Sequence, residues 1–367
     1  MRAQRDTVLL FVTLILVGVG FFIFFSAALS LLARDSASLT RVISTQFIFG
    51  IVGGGIALYT LMHIPYRYFK AFAPHVFVIS LFITALVFTP LGQELHGAKR
   101  WIDIFGFSFQ PSEVLKIATI LFLARVLSVF RKQFQSLKYG LLPFVAVIAL
   151  PILLLLFQPD NDTAALLLVS CFAMYFVAGA PWRDVGIVVL TGVVGIVGIL
   201  TVHPYAMERM QSYLAPTTDP LGSGYHIQQS LIAVGSGGVL GKGVGQSAQK
   251  WNYLPEPMSD SIFAVYAEET GFVGSVIAIL LFLLFITRGL AIGVQATDPF
   301  ASMVAVGLSV MLVLQAFMNI ASSLGLIPVA GLALTFVSHG GSALFSALVA
   351  VGIILSVSAT KRHTNTL

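Results

Sequence analysis

The sequence predicts an all-α, polytopic membrane protein, and three observations carry that expectation. The first is composition: 57% of the 367 residues are hydrophobic, 10% are charged and the mean hydropathy is +0.96, whereas soluble domains carry roughly 25% charged residues. The second is a succession of long apolar runs. A bilayer core about 30 Å thick needs roughly 20 apolar residues per helix. About ten runs meet that requirement, near residues 8–32, 42–62, 73–90, 111–130, 139–157, 162–180, 185–203, 261–287, 300–323 and 341–360. The third is the placement of Lys and Arg, which resist export and mark cytoplasmic loops. With the N-terminus inside, Arg2, Arg5, Arg67, Lys70, Arg125, Arg131, Lys132, Lys138, Arg183, Arg288, Lys361 and Arg362 fall on one side. The short loops of the other side hold only Arg34, Arg41, Lys99 and Arg100. Both termini are therefore expected in the cytoplasm, with a large extracytoplasmic loop, about 204–260, between the seventh and eighth helices.

The first run follows Arg2 and Arg5 and ends near Ser26-Ala27-Ala28, which has the look of a cleavage site. Its apolar stretch exceeds the 7–15 residues of a signal core and more spans follow, so a retained anchor is expected. Cys171, the single cysteine, lies within the sixth run and has no intrachain disulfide partner. The formal net charge of +5 reflects the cytoplasmic bias of the basic residues and does not point to nucleic acid. Without an internal repeat or low-complexity tail, residues 1–367 read as one integral domain.

Between the third and fourth runs stands HGAKRWIDIFGFSFQPSE. Pro111 suits the first position of a helix and Glu113 its acidic first turn, behind a Trp101 interfacial anchor. Lys116 lies i+3 from Glu113 and i+4 from Ser112, so the three share a face. An ionisable residue one turn inside a membrane helix is costly and usually faces a polar cavity. With Lys99 and Arg100 and the helix N-terminus, this group forms a candidate anion site suited to a phosphate or pyrophosphate; a well-capped helix is the alternative. In Gln158-Pro159-Asp160-Asn161-Asp162-Thr163, Asp162 or Thr163 can cap the sixth helix. The two acids are also candidate oxygen ligands for a divalent cation.

The stretch from Tyr213 to Phe272 is the one extended piece that is polar, glycine-rich and dotted with aromatics. Gly222, Gly224, Gly235, Gly237, Gly238, Gly241, Gly243 and Gly245 permit close backbone approach, and residues 227–234 suggest a short amphipathic helix in the interface. GKGVGQS lacks the Walker spacing and follows no strand. A re-entrant loop is expected. Glu256 and Asp260 precede the eighth run; Asp260 can cap that helix, act as a general base, or do both. Glu268 and Glu269 lie two turns deeper, Glu268 being the better placed to share the face of Asp260, as an ion pair or as part of a site. Near the last run, prolines and glycines around Leu334–Ser342 suggest a broken helix on the outer side, where His339 is the notable lone histidine. No His or Cys cluster supports zinc.

The pieces GAKRWIDIFGFSFQPSEVLK, QPDNDTA, DPLGSGY with QQSLIAVGSGGVLGKGVGQS, QKWNYLPEPMSDSIFAVYAEETGF and GLIPVAGLALTFVSHGGS occur in this order across nearly the whole chain. In them the chain resembles the SEDS family (FtsW, RodA and the sporulation homologue), leaning towards the FtsW branch through QK-x-x-YLPE. The resemblance implies a peptidoglycan glycosyltransferase of the bacterial inner membrane that polymerises lipid II by inverting transfer. It implies Asp260 as general base, and Arg100, Glu113 and Lys116 as the polar cluster at the substrate, Arg100 and Lys116 for the donor pyrophosphate. Glu256, Glu268 and His339 complete the candidate substrate site. A divalent cation, Mg or Mn, with ligands unassigned, and a class B penicillin-binding protein are implied as cofactor and partner. The chain departs from the commoner QPDLGTA, AHTD and SYGGSS at QPDNDTA, PMSD and SHGGSA, none of which removes Asp260. A lipid II flippase and a non-catalytic scaffold of the cell-wall complex are the alternative functions.

Overall fold

A computed structural model describes residues 5–33, 36–95, 98–104, 107–130, 136–202, 204–215, 223–251 and 253–359. Its helices are α1 (Thr7–Ala28), α2 (Ser36–Thr45), α3 (Gly54–Leu61), α4 (Tyr66–Ala85), α5 (Pro111–Phe130), α6 (Leu141–Phe157), α7 (Asn161–Val177), α8 (Trp182–Val202), α9 (Pro204–Leu214), α10 (Ser223–Ser236), α11 (Ile262–Gln295), α12 (Pro299–Ser323) and α13 (Gly341–Ser358). A π-helical stretch, Gln46–Gly53, joins α2 to α3. Seven helical stretches among the described residues are long and apolar enough to cross a membrane. α6 and α7 are apolar but 17 residues each, and α5 carries Glu113, Lys116 and Arg125 among its 20 residues. The molecule is a multi-pass helical membrane protein.

Burial follows from what each helix must face. α12 and α13 bury most of their residues and form the centre, with α5, α7 and α11 packed on α12 and α3 on α13. α8 instead exposes Leu190, Val194 and Ile196, as a helix solvated by hydrocarbon can. Helix starts are set by local chemistry. The Asp6 carboxylate accepts from the Leu9 N–H at 2.9 Å to cap α1, and Asp298 does the same for α12 through Phe300 at 2.8 Å with Pro299 in the first turn.

The structure departs from the sequence expectation in three places. The segment before α5 is an antiparallel three-stranded sheet, β1 (Gly92–Leu95), β2 (Ala98–Ile104) and β3 (Phe107–Phe109), paired Gln93 with Trp101 and Asp103 with Ser108. The expected interfacial helix 227–234 extends over the whole of α10 and is preceded by α9. The eighth run becomes the 34-residue α11, which breaks at Gly271, where φ is 70° and ψ is −167°. Only glycine takes that backbone readily, and a Cβ there would lie 2.2 Å from the Gly241 nitrogen. The break lets the 238–243 loop dock against α11. Lys242 and Gly243 donate N–H groups to the Glu268 and Glu269 carbonyls at 3.0 Å, while Phe272 and Val273 donate to the Gly238 and Val239 carbonyls at 2.9 and 3.1 Å. Backbone freed inside an apolar bundle is thus satisfied by protein.

Candidate active site

The site is built on a polar stripe of α12. Gln315, Asn319 and Ser322 stand at i, i+4 and i+7, one face of a helix. They pin the extended segment that follows α12: Gln315 donates to the Ala333 carbonyl (3.0 Å), Asn319 to the Leu332 carbonyl (2.8 Å), and the Ser322 hydroxyl accepts from Ala330 (3.0 Å). Asn319 also donates to the backbone carbonyl of Asp260 at 3.0 Å, fixing that residue against α12. The approach to Asp260 is held from the other side. The Ser338 hydroxyl donates to the Ser259 carbonyl (2.7 Å), His339 donates its N–H to Met258 (2.7 Å), and the Glu256 carbonyl accepts from Ser259 and Ser261. Glu256 takes a φ of 45°, uncommon for a residue with a Cβ.

Asp260 does not cap α11; that position belongs to Ser261, whose hydroxyl bonds the Pro255 carbonyl (2.8 Å) and the His226 ring (2.9 Å). The Asp260 carboxylate instead faces Gly331. The vacant Cβ position of Gly331 is 3.9 Å from Asp260 Oδ2, 3.9 Å from Arg209 Nη2 and 3.5 Å from Asp162 Oδ2. Two carboxylates and a guanidinium therefore converge on one small residue. Asp162 is oriented by Arg209 (2.9 Å) and by the Gly331 N–H (2.9 Å). The helix-capping expectation for Asp162 is corrected: Asp160 holds the N-cap position of α7 and Asp162 lies in the first turn.

The Arg100–Lys116 group forms an adjoining layer. Arg100 donates to the Gln158 and Pro159 carbonyls and lies 3.7 Å from Asp160. Burial pushes the Asp160 carboxyl above its ordinary range, against the opposing pull of Arg100. Lys116 is 1% exposed, with its ammonium on Glu113 (2.9 Å) and Gln315 (2.8 Å). Gln315 thus connects this layer to the segment that carries Gly331. A cavity of about 10 Å³, room for one water, lies among Glu113, Gln315, Thr335 and Ser338.

Glu268 and His339 sit elsewhere. Glu268 lies about 9 Å along α11 from its first residue, Ile262, at 1.5 Å per residue, and is held by Lys242 (2.7 Å), the Ser247 hydroxyl (2.5 Å) and the Ala248 and Gln249 N–H groups. Glu269 pairs with Lys250 (2.9 Å) and accepts from Ser26 (2.6 Å). These carboxylates fasten the docked loop. The His339 ring stacks on Phe24 with centroids 5.8 Å apart, and burial lowers its proton affinity while Glu256 opposes that effect. Burial, aided by Arg209, likewise lowers the His226 pKa to about 4.

Sequence reasoning named Asp260, Glu113, Lys116 and Arg100 but not Arg209, Gln315 or Asn319. The two amides had a usable signal, since polar side chains one turn apart inside an apolar run mark an interior face. Arg209 lies in a polar stretch where nothing singles it out. Of the quoted pieces, residues 219–222 of DPLGSGY, Gly222 among them, together with Gly97, Phe105, Gly106 and Asn252, lie outside the described residues.

The arrangement defines a multi-pass membrane protein with a carboxylate–guanidinium site held at one end of its bundle. The family model described as "Cell cycle protein" matches residues 6–363, and the chain belongs to that FtsW/RodA/SpoVE family. It is 39% identical over 363 residues to Stage V sporulation protein E of Bacillus subtilis, covering 99% of each chain. It is 37% identical over 362 residues to a probable peptidoglycan glycosyltransferase FtsW of Trichlorobacter lovleyi, covering 97% of this chain and 94% of that one. Among solved structures, a chain from a peptidoglycan synthase complex described as coordinating polymerization and crosslinking superposes with a TM-score of 0.79 at 29% identity, over 97% of this chain and 98% of that chain. The rod shape determining protein RodA of Thermus thermophilus gives 0.71 at 27% identity, over 98% of each.

Proposed function

We propose that the protein is a peptidoglycan glycosyltransferase that polymerises lipid II at the outer face of the membrane. The single observation that carries this reading is the Asp260 carboxylate, fixed through its backbone by Asn319 and facing Asp162 and Arg209 across Gly331. Asp260 takes the proton from the acceptor sugar hydroxyl as that oxygen attacks C1 of the donor sugar. The C1–oxygen bond to undecaprenyl pyrophosphate breaks, and the electron pair leaves with the pyrophosphate. Attack opposite the leaving group inverts C1. Arg209, together with Arg100 on the Gln158 and Pro159 carbonyls, supplies positive charge where the pyrophosphate collects negative charge. Lys116 acts through Glu113 and Gln315 as a positioning group.

Magnesium is commonly held by one or two carboxylates together with substrate phosphates. Asp162 and Asp260 fit that requirement, although no group of three or more His, Cys, Asp or Glu residues suited to a metal occurs among the described residues. Such an ion would supply Lewis-acid stabilisation to the leaving pyrophosphate. A flippase would place its polar groups near the bilayer midplane, whereas those facing Asp260 gather at one end of the bundle. A class B penicillin-binding protein is the proposed partner, in keeping with the synthase complex among the structural neighbours.

Purified protein with its cognate transpeptidase, given lipid II in detergent micelles, is expected to make glycan polymer and to lose that activity in EDTA. Micelles have no second leaflet, so a flippase would yield no product there, and its absence with active partner would refute the proposal.

A further inference from the structure

At the end of the bundle opposite Asp260, the residues before α1, the α3–α4 turn and the end of α13 enclose a cavity of about 310 Å³. That volume is at the lower end of small-ligand sites, roughly 300–1,000 Å³. Its lining carries two guanidinium groups, Arg5 and Arg67, together with His63, Tyr66 and Ser356, and no acidic residue among the described residues. Two acids lie close by, each with a basic partner: Asp6 is buried and pairs with Arg288, and Asp298, which accepts from the hydroxyl of the lining Tyr66 (3.4 Å), pairs with Lys70 (3.2 Å).

The cavity is organised for an anion. Arg5 donates to the Met62 carbonyl (3.1 Å) and to His63 Nε2 (3.0 Å). With Nδ1 donating to the Tyr59 carbonyl at 2.6 Å, His63 is a neutral acceptor that holds Arg5 in place. The N-terminus of the 20-residue α4 opens here, and its N-cap, Pro65, provides no side-chain cap. Tyr59 packs its ring 4.6 Å from that of the lining His63, and along α3 and α4, which lead away from the cavity, Ile56, Tyr59, Tyr68 and Phe72 are exposed, an apolar flank that acyl chains would cover.

We infer that this cavity binds the phosphodiester headgroup of an anionic phospholipid, with Arg67 and Arg5 on the phosphate and the acyl chains along α3 and α4. Basic pockets between membrane helices suit such headgroups. The exposed apolar flank favours a lipid over a free phosphate.

The test is native mass spectrometry of the full chain released from nanodiscs of mixed phosphatidylglycerol and phosphatidylcholine. One phosphatidylglycerol is expected to be retained in preference to phosphatidylcholine. Arg67→Gln should weaken retention about fivefold, and Arg5→Gln with Arg67→Gln about thirtyfold, from roughly 1 kcal/mol per basic residue. Lys138→Gln, an exposed charge on another loop, should leave retention unchanged. Arg67 is exposed and its side chain makes no hydrogen bond among the described residues, so its single variant remains informative if the double variant misfolds. Equal retention of both lipids, no change in Arg67→Gln, or full displacement of the lipid by millimolar inorganic phosphate would overturn the inference.

Discussion

Lys250→Met is expected to loosen the docked loop by breaking a buried ion pair. Lys250 and Glu269 are both fully buried, with nitrogen and oxygen 2.9 Å apart, and Lys250 also donates to Ser26 (2.8 Å) and the Gly245 carbonyl (2.8 Å). Removing the cation leaves Glu269 with the Ser26 hydroxyl and a long contact from the Ser247 N–H at 3.4 Å. Breaking a buried pair from one side costs about 3–5 kcal/mol, and the surviving Ser26 bond places this variant near the lower end, about 3 kcal/mol. Replacing both partners by apolar residues is often nearly neutral, so Lys250→Met with Glu269→Leu should recover most of that loss. Denaturant titration in detergent micelles reads the stabilities, and limited proteolysis of the 236–250 loop reads the undocking. A single variant within about 1 kcal/mol of wild type, or a double variant no better than the single, would refute the argument, because pair interactions of contacting residues commonly reach 0.5–3 kcal/mol.

Three further outcomes follow from the same contacts. Arg209→Gln should lower polymerisation about 100- to 1,000-fold, the scale of losing one group that stabilises charge developing in the transition state, and should also cost some stability by breaking its 2.9 Å pair with Asp162; a lipid II assay beside a melting curve measures both. Gly271→Ala should destabilise by at least about 1–3 kcal/mol, the cost of a sparsely populated backbone, with a clash at the Gly241 nitrogen added. His226 has a folded pKa of about 4 against about 6.5 when unfolded, so the unfolded chain binds more protons between those values. Its contribution to stability is therefore complete above about pH 6.5 and declines as pH falls towards 4; the melting temperature of His226→Gln should fall less steeply over that window.

Much of this architecture is legible in the sequence because a bilayer imposes length and apolarity on every helix that crosses it. The Pro111 start of α5 and the Glu113–Lys116 pair were readable from spacing alone. The three-stranded sheet was not, because its strands are three to seven residues long and sit in a polar connection whose pattern reads equally as loop. The break at Gly271 was also hidden: glycine is tolerated within membrane helices, and only the approach of Gly241, thirty residues earlier, requires it. Asp162 illustrates a third limit. Its place near a helix start suggested a cap, but Arg209 and the Gly331 N–H compete for the carboxylate, and both come from segments remote in sequence.

Asp260→Asn tests the central claim most directly, because the amide keeps the shape of the side chain and leaves the Asn319 bond to the Asp260 carbonyl intact. Purified with its transpeptidase and given lipid II, this variant should melt like the wild type and make no glycan polymer. Polymerisation at the wild-type rate would contradict the assignment of Asp260 as the base.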